Sequence, residues 1–268
     1  MSGELAAVEV RLHEVLQEYS PLAIAVSGGV DSLTLATVAH RVLGVAPLMV
    51  HAISPAVPVA ATARVREMSE REGWDLREIA AGEFADPDYR ANPYNRCFYC
   101  KSNLYRSMHA ITDRRIASGA NLDDLSDYRP GLQAATEQAV VHPFVDAGID
   151  KAAIRQIARA HQLHHYAELP AQPCLASRVE TGLPIMADDL TFIDGLEGEL
   201  KQTLGELATV RVRMRNPGVF VELGDMPSQE TVRFLEQRAS RFCQEAGYLF
   251  IAITAYRRGS AFVNDKST

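Results

Sequence analysis

Four short stretches hold the residue types that could do chemistry. AVSGGVDS, residues 25–32, sets two glycines ahead of an aspartate and a serine. NRCFYCK places Cys97 and Cys100 in a C-x-x-C between Arg96 and Lys101. PCLASR has Cys174 four residues before Arg178, and RVRMR alternates Arg211, Arg213 and Arg215 with apolar residues.

A strand that ends in SGG and feeds a helix beginning at Val-Asp-Ser leaves main-chain N–H groups open at a helix N-terminus, which is an anion site. Gly28 and Gly29 allow close approach, and Ser27 and Ser32 add hydroxyls. Asp31 repels a bare phosphate unless a divalent cation lies between, so the stretch points to a nucleotide with Mg²⁺. The pattern is neither GxGxxG nor GxxxxGK[ST], and no lysine follows the glycines to grip a γ-phosphate. The competing reading is a tight turn with a helix cap.

The C-x-x-C is open to three readings: a redox dithiol, half of a metal site, or two packed cysteines. Its cationic neighbours favour thiolates. With Cys174, in a polar loop, the pair makes three thiolate ligands. That set suits a [4Fe–4S] cluster with one open iron better than zinc, which wants a fourth ligand. Cys243 falls in a periodic helix and reads as core. Arg178 is a candidate clamp for phosphate or carboxylate. Strand periodicity puts Arg211, Arg213 and Arg215 on one face, either solvated or covered by an anion. In GANLDDLSDYRPG, Asp123, Asp124 and Asp127 are turn carboxylates or helpers of Mg²⁺, with Asp124 the first choice, and Arg129 pairs with them or reaches phosphate. Glu199 is a speculative acid or base. His161, His164 and His165 read as helix-end or surface residues.

These residues need elements to hold them. PLAIAV, APLMVHAIS, WDLREIA and RRIAS read as strands. They alternate with helices over VDSLTLATVAHRVLG and VAATARVREMSEREG, which implies crossovers and a parallel sheet. DKAAIRQIARAHQL is an amphipathic helix. Beyond about residue 182 the pattern becomes helix, two strands, helix, strand. The expected fold is α/β, a Rossmann-like parallel-sheet domain over 1–182 with a smaller α+β domain over 183–268.

The formal charge of −7 argues against a general nucleic-acid binder. The segment from residue 205 is different, with nine Lys and Arg against seven Asp and Glu, enough to serve a small anionic substrate. No apolar run is long enough to span a membrane. The first twenty residues read as a helix rather than a signal peptide, so a cytoplasmic protein is expected.

SGGVDS resembles the pyrophosphate-binding loop of the PP-loop, or adenine-nucleotide α-hydrolase-like, superfamily, whose members cleave ATP between the α and β phosphates. The chain as a whole resembles the LarE family of sulfur transferases. The resemblance rests on AVSGGVDS, ISPAVP, NPYNRCFYCK, GANLDDLSDYRPGLQA, IDKAAIRQIAR, PCLASRVETG and RVRM, with a weaker echo in GYLFIAITAYRRGS.

The resemblance implies adenylylation of a carboxylate of pyridinium-3,5-biscarboxylic acid mononucleotide, then displacement of AMP by sulfur, in nickel-pincer nucleotide biosynthesis. It implies a nucleotide site of Ala25, Ser27, Gly28, Gly29, Asp31, Ser32, Ser54, Asp124 and Arg178, with Arg211 and Arg213 on the substrate phosphate. Single-cysteine members sacrifice the cysteine at the position of Cys174. Members with three cysteines hold a [4Fe–4S] cluster, and Cys97, Cys100 and Cys174 match them. The partners implied are ATP, Mg²⁺, a sulfide source and further copies of the chain. Related chemistry on tRNA, or nucleotide binding without turnover, are the alternatives. The chain departs from the family at RNPGVFVELG and AYRRGSAFV, in the part expected to hold the sulfur acceptor.

Overall fold

The computed structural model describes residues 3–126 and 130–257. Asp127, Arg129 and the stretch from residue 258 lie outside the described residues. The chain divides into two compact units. Unit 1 comprises residues 1–85 and 97–171, and unit 2 comprises 86–96 and 172–268.

Unit 1 contains α1 (Gly3–Tyr19), β1 (Leu22–Ala25), α2 (Val30–Val42), β2 (Leu48–Ala52), α3 (Val59–Glu72) and β3 (Asp75–Ile79). The chain then leaves for unit 2, where α4 spans Pro87–Arg90. It returns along α5 (Arg96–His109), followed by β4 (Arg115–Ala117), α6 (Pro130–Glu137), α7 (Pro143–Asp146), α8 (Lys151–Ala160) and α9 (His164–Ala167).

The four strands form one sheet in the order β3-β2-β1-β4, all parallel. A parallel sheet needs cover on both faces, and β1 supplies it by simple alternation. Leu22 and Ile24 enter one apolar cluster with Leu12, Leu33, Met49, Phe144 and Ile154. Ala23 and Ala25 enter the other, with Leu48, Val50, Tyr105, Met108 and Ile116. Asp150 caps α8 by accepting from the Ala153 amide at 2.8 Å. The buried side of that helix is Ile154, Ile157 and Ala158, one stripe at helical spacing.

Strand β1 is flanked by β2 on one side and β4 on the other. The chain runs outward from β1 through β2 to β3 and then crosses back to β4, so the strand order reverses at β1. In open parallel sheets, ligands bind at the carboxyl end of that switch point. The glycine turn follows β1 at this end.

In unit 2, α10 (Ala187–Leu204) precedes β5 (Val210–Met214) and β6 (Val219–Leu223). Helix α11 (Gln229–Glu245) then leads to β7 (Phe250–Ala255). The sheet order is β5-β6-β7, antiparallel then parallel. Val210, Val212, Val219, Val221 and Leu223 are buried, as are Leu190, Ile193, Leu196 and Leu200 of α10. Cys243 is fully buried on α11, as expected of a core residue, and burial pushes its thiol up to about 11.

The excursion 86–96 is bound into unit 2 by Asn92, which is fully buried. Its side-chain amide donates to the carbonyls of Glu180 (2.8 Å) and Leu183 (2.9 Å), and its own carbonyl accepts from Gly182 N at 3.0 Å. The strands and long helices read from the sequence are all present. No helix among the described residues is long and apolar enough to cross a membrane.

Candidate active site

The turn after β1 is held by its own residues. Ser32 Oγ accepts from the Ser27 amide at 3.0 Å, lies 3.1 Å from Ser27 Oγ and donates to Gly29 O at 3.2 Å. Gly28 has φ +79°, and a Cβ there would stand 2.5 Å from the Ala61 carbonyl oxygen of α3. Only glycine meets both demands without strain. On the far side, a Cβ on Gly119, in the loop after β4, would come within 3.0 Å of the Ser32 nitrogen. Two neighbouring main chains thus close tightly on the N-terminus of α2, with Gly29 as its N-cap and no side chain filling that role.

His51, fully buried on β2, fixes the same region. Its Nδ1 is 2.7 Å from Val26 O, and its Nε2 is 2.9 Å from Thr62 Oγ1. A carbonyl only accepts, so Nδ1 carries the proton and Nε2 accepts from the threonine. Burial keeps this ring below the ordinary histidine range.

Asp31 stands in the first turn of α2, half-buried. Burial raises its carboxyl above the usual aspartate range; Lys151 opposes that shift and Asp124 adds to it. Lys151 Nζ lies 3.3 Å from Asp31 Oδ2. Asp31 Oδ1 is enclosed with no hydrogen-bond partner among the described residues. The absent lysine of the glycine turn is therefore supplied from α8, 120 residues further along. That helix start is anchored, since Asp123 Oδ2 accepts from the Lys151 amide at 3.0 Å. Asp124 accepts from the Asn121 amide at 3.1 Å. Ser54 shapes the loop after β2, its hydroxyl accepting from Ala56 N at 3.1 Å. Ala25 is the last residue of β1.

Cys97 and Cys100 lie in the first and second turns of α5, in unit 1. Three residues of helix turn about 300°, so the two share a face. Neither is in a disulfide, and both are partly exposed. Within neither unit do three His, Cys, Asp or Glu side chains gather to hold a metal ion among the described residues.

Unit 2 holds Cys174, partly exposed, at the N-cap of a short 3₁₀ turn, Leu175–Arg178. Arg178 is buried and turned inward. Its Nε and Nη2 meet the two oxygens of Glu197 at 2.9 and 3.0 Å. Its Nη1 reaches Pro173 O (2.6 Å), Cys174 O (3.2 Å) and Ser177 Oγ (3.0 Å). Glu197 Oε1 also accepts from the Val212 amide of β5 at 3.0 Å.

The arginine face of β5 is not solvated: Arg211 and Arg213 are each 4% exposed. Arg213 donates to Glu222 of β6 at 2.9 Å and to Ser177 O at 2.9 Å. Arg215 meets the other oxygen of Glu222 at 2.6 Å, and Arg211 reaches Val210 O at 2.8 Å. Burial lowers both the Arg211 and Arg213 guanidinium pKa values; Arg178 is the next contributor for Arg211, whereas Glu222 opposes the shift for Arg213. Glu199 lies two residues from Glu197, about 200° around α10, and pairs with Arg238 of α11.

Sequence reasoning missed Lys151, Asn92, Glu197 and Glu222. An acidic residue inside an apolar helix stripe, as Glu197 is between Leu196 and Leu200, was the one available signal. His161 ends α8 and pairs with Glu9 at 2.6 Å, while His164 and His165 are exposed.

A parallel, switch-point sheet with a glycine turn at its carboxyl end, together with a smaller mixed-sheet unit, defines a Rossmann-like α/β protein. No protein-family model matches the chain. It is 31% identical over 250 residues to an uncharacterized protein of Synechocystis sp., covering 90% of this chain and 91% of that one. It is 24% identical to the pyridinium-3,5-bisthiocarboxylic acid mononucleotide synthase of Lactiplantibacillus plantarum, over 98% of this chain and 96% of the synthase. An uncharacterized protein of Methanocaldococcus jannaschii is 26% identical over 76% of this chain and 78% of its own length. The chain belongs to one family with the Synechocystis protein, and it is similar along nearly its whole length to the mononucleotide synthase.

Proposed function

We propose that this protein is an ATP-dependent sulfur transferase that converts a carboxylate of a pyridinium mononucleotide to a thiocarboxylate. The observation that carries the reading is its end-to-end similarity to a synthase of the bisthiocarboxylic acid mononucleotide, in nickel-pincer cofactor biosynthesis.

A carboxylate resists sulfur nucleophiles because oxide is a poor leaving group. Its oxygen attacks the α-phosphorus of ATP, pyrophosphate departs, and the acyl-adenylate then loses AMP to an attacking sulfur. The amides of residues 28–32 and Lys151 take the departing pyrophosphate. The enclosed Asp31 oxygen, with Asp124 nearby, fits a divalent cation, which would neutralise charge on the phosphates. Arg211 is offered to the phosphate of the mononucleotide, while Arg213 is held by Glu222 and Ser177 O.

The sulfur comes by way of Cys97, Cys100 and Cys174. A helical pair of thiols on one face and a third at the start of a turn are a donor set that fits a [4Fe–4S] cluster, which when bound supplies an open iron for sulfide.

Release of AMP and pyrophosphate tests the reaction. ATP cleavage should require the biscarboxylated mononucleotide. Cleavage that responds instead to tRNA would favour a tRNA thiolase, and nucleotide binding without cleavage would favour a regulator. The mass of Cys174 after turnover separates a retained cysteine from one converted to dehydroalanine.

A further inference from the structure

We propose that Arg178 and Glu197 are positioning residues for Cys174, an inference that rests on the sulfur-transfer reading above. Arg178 is buried beneath the cysteine turn, and its donors go to protein acceptors. One guanidinium nitrogen reaches the carbonyls of Pro173 and of Cys174 itself, while the other two grip Glu197 in a fork. The Arg178 and Glu197 side chains are 2% and 6% exposed.

The consequence falls on the sulfur. The Cys174 carbonyl accepts from Arg178 and from the Ser177 amide at 3.0 Å, and the preceding carbonyl is held as well. Ser177 O is fixed in turn by Arg213. With φ −56° and ψ 154° pinned in this way, the reach of the sulfur is set by one side-chain torsion. Glu197 ties the clamp to the sheet through the Val212 amide, so the cysteine is carried by α10 and β5 rather than by its loop alone. A phosphate could take Arg178 only by displacing Glu197 into a buried, unpaired state, which is strongly disfavoured.

The test uses the full-length protein with Arg178→Lys, which keeps the charge and loses the fork. Alkylation of Cys174 by iodoacetamide is followed by peptide mass spectrometry, with Cys97 and Cys100 as internal references. Loss of the clamp should speed Cys174 alkylation about fivefold or more by loosening the turn. It should also lower kcat for sulfur transfer about tenfold or more, because a small misplacement of a reacting atom is costly. KM for ATP and for the mononucleotide should stay within about twofold of wild type.

Unchanged alkylation, or a tenfold rise in either KM with kcat intact, would overturn the proposal. Glu197→Gln, which keeps an acceptor for Val212, is the second variant should Arg178→Lys fail to fold, and it should show the same changes at smaller size. If wild-type protein transfers no sulfur, the function proposed above fails, yet the alkylation comparison still decides whether the clamp holds Cys174.

Discussion

The two places where this protein presents reactive groups are built in opposite ways. The turn after β1 is made of main chain: two glycines, a pair of serine hydroxyls and the open end of α2. The cysteine turn in unit 2 is made of side chains: two buried arginine–glutamate pairs that hold carbonyl groups in place. A phosphate-bearing ligand comes and goes, and main-chain amides can receive it with little rearrangement. On the sulfur-transfer function proposed above, a sulfur that must meet one carbon needs a rigid mount, and buried ion pairs give direction even where they add little net stability.

Breaking a pair on the cysteine side should have the largest effect on stability. Glu197→Ala leaves the Arg178 guanidinium buried without its carboxylate and should cost about 3–5 kcal/mol, measured by denaturant unfolding. A loss under about 1 kcal/mol would mean that the pair is not buried as described.

On the turn side, Gly28→Ala puts a Cβ at 2.5 Å from Ala61 O and forces alanine to φ +79°. The torsion alone costs about 1–2 kcal/mol. ATP affinity, read by calorimetry, should fall at least about tenfold as the turn shifts, which corresponds to about 1.4 kcal/mol.

Asp31→Asn sharpens the contrast because stability and function should move apart. Burial raises the Asp31 carboxyl, so its contribution to stability is present below the ordinary aspartate pKa and is lost as pH rises through the raised value. At neutral pH the charged form is a burden, and the asparagine variant should have the higher Tm while losing ATP cleavage. That advantage should shrink as pH falls toward the ordinary aspartate range. A lower Tm at pH 7 would show that the Lys151 contact outweighs burial.

The smallest effect is expected at the exposed pair Arg159–Glu168, 44% and 56% exposed. Arg159→Ala should change stability by less than about 1 kcal/mol, which sets the scale for the buried pairs.

The same difference in construction explains what could be read from the sequence. The glycine turn is local: strand, glycines and helix follow one another in eight residues, so its form and its place at the sheet end were legible. The sheet was legible too, since β1 and β2 alternate over two apolar clusters. The cysteine mount is not local. Arg178 meets Glu197 nineteen residues later, and Arg213 meets Glu222 across a strand pair. Only folded register brings them together, and an arginine in a polar loop reads naturally as a ligand clamp. Glu199 was the acidic candidate on α10, but the turn of that helix puts Glu197 inside and Glu199 on Arg238. Lys151 was hidden for the same reason, because it reaches the turn from α8. The excursion of residues 86–96 into unit 2 left no signal, because Asn92 acts through carbonyls that any sequence carries.

The most direct test of the account is single-vessel turnover under anaerobic conditions. Protein with a reconstituted cluster is given ATP, sulfide and pyridinium-3,5-biscarboxylic acid mononucleotide, and the nucleotide products and intact protein are weighed by mass spectrometry. The account predicts sulfur in place of carboxylate oxygen, one AMP for each sulfur, more product molecules than protein chains, and an unchanged Cys174. AMP released with no sulfur in the nucleotide, or no AMP at all, would contradict it.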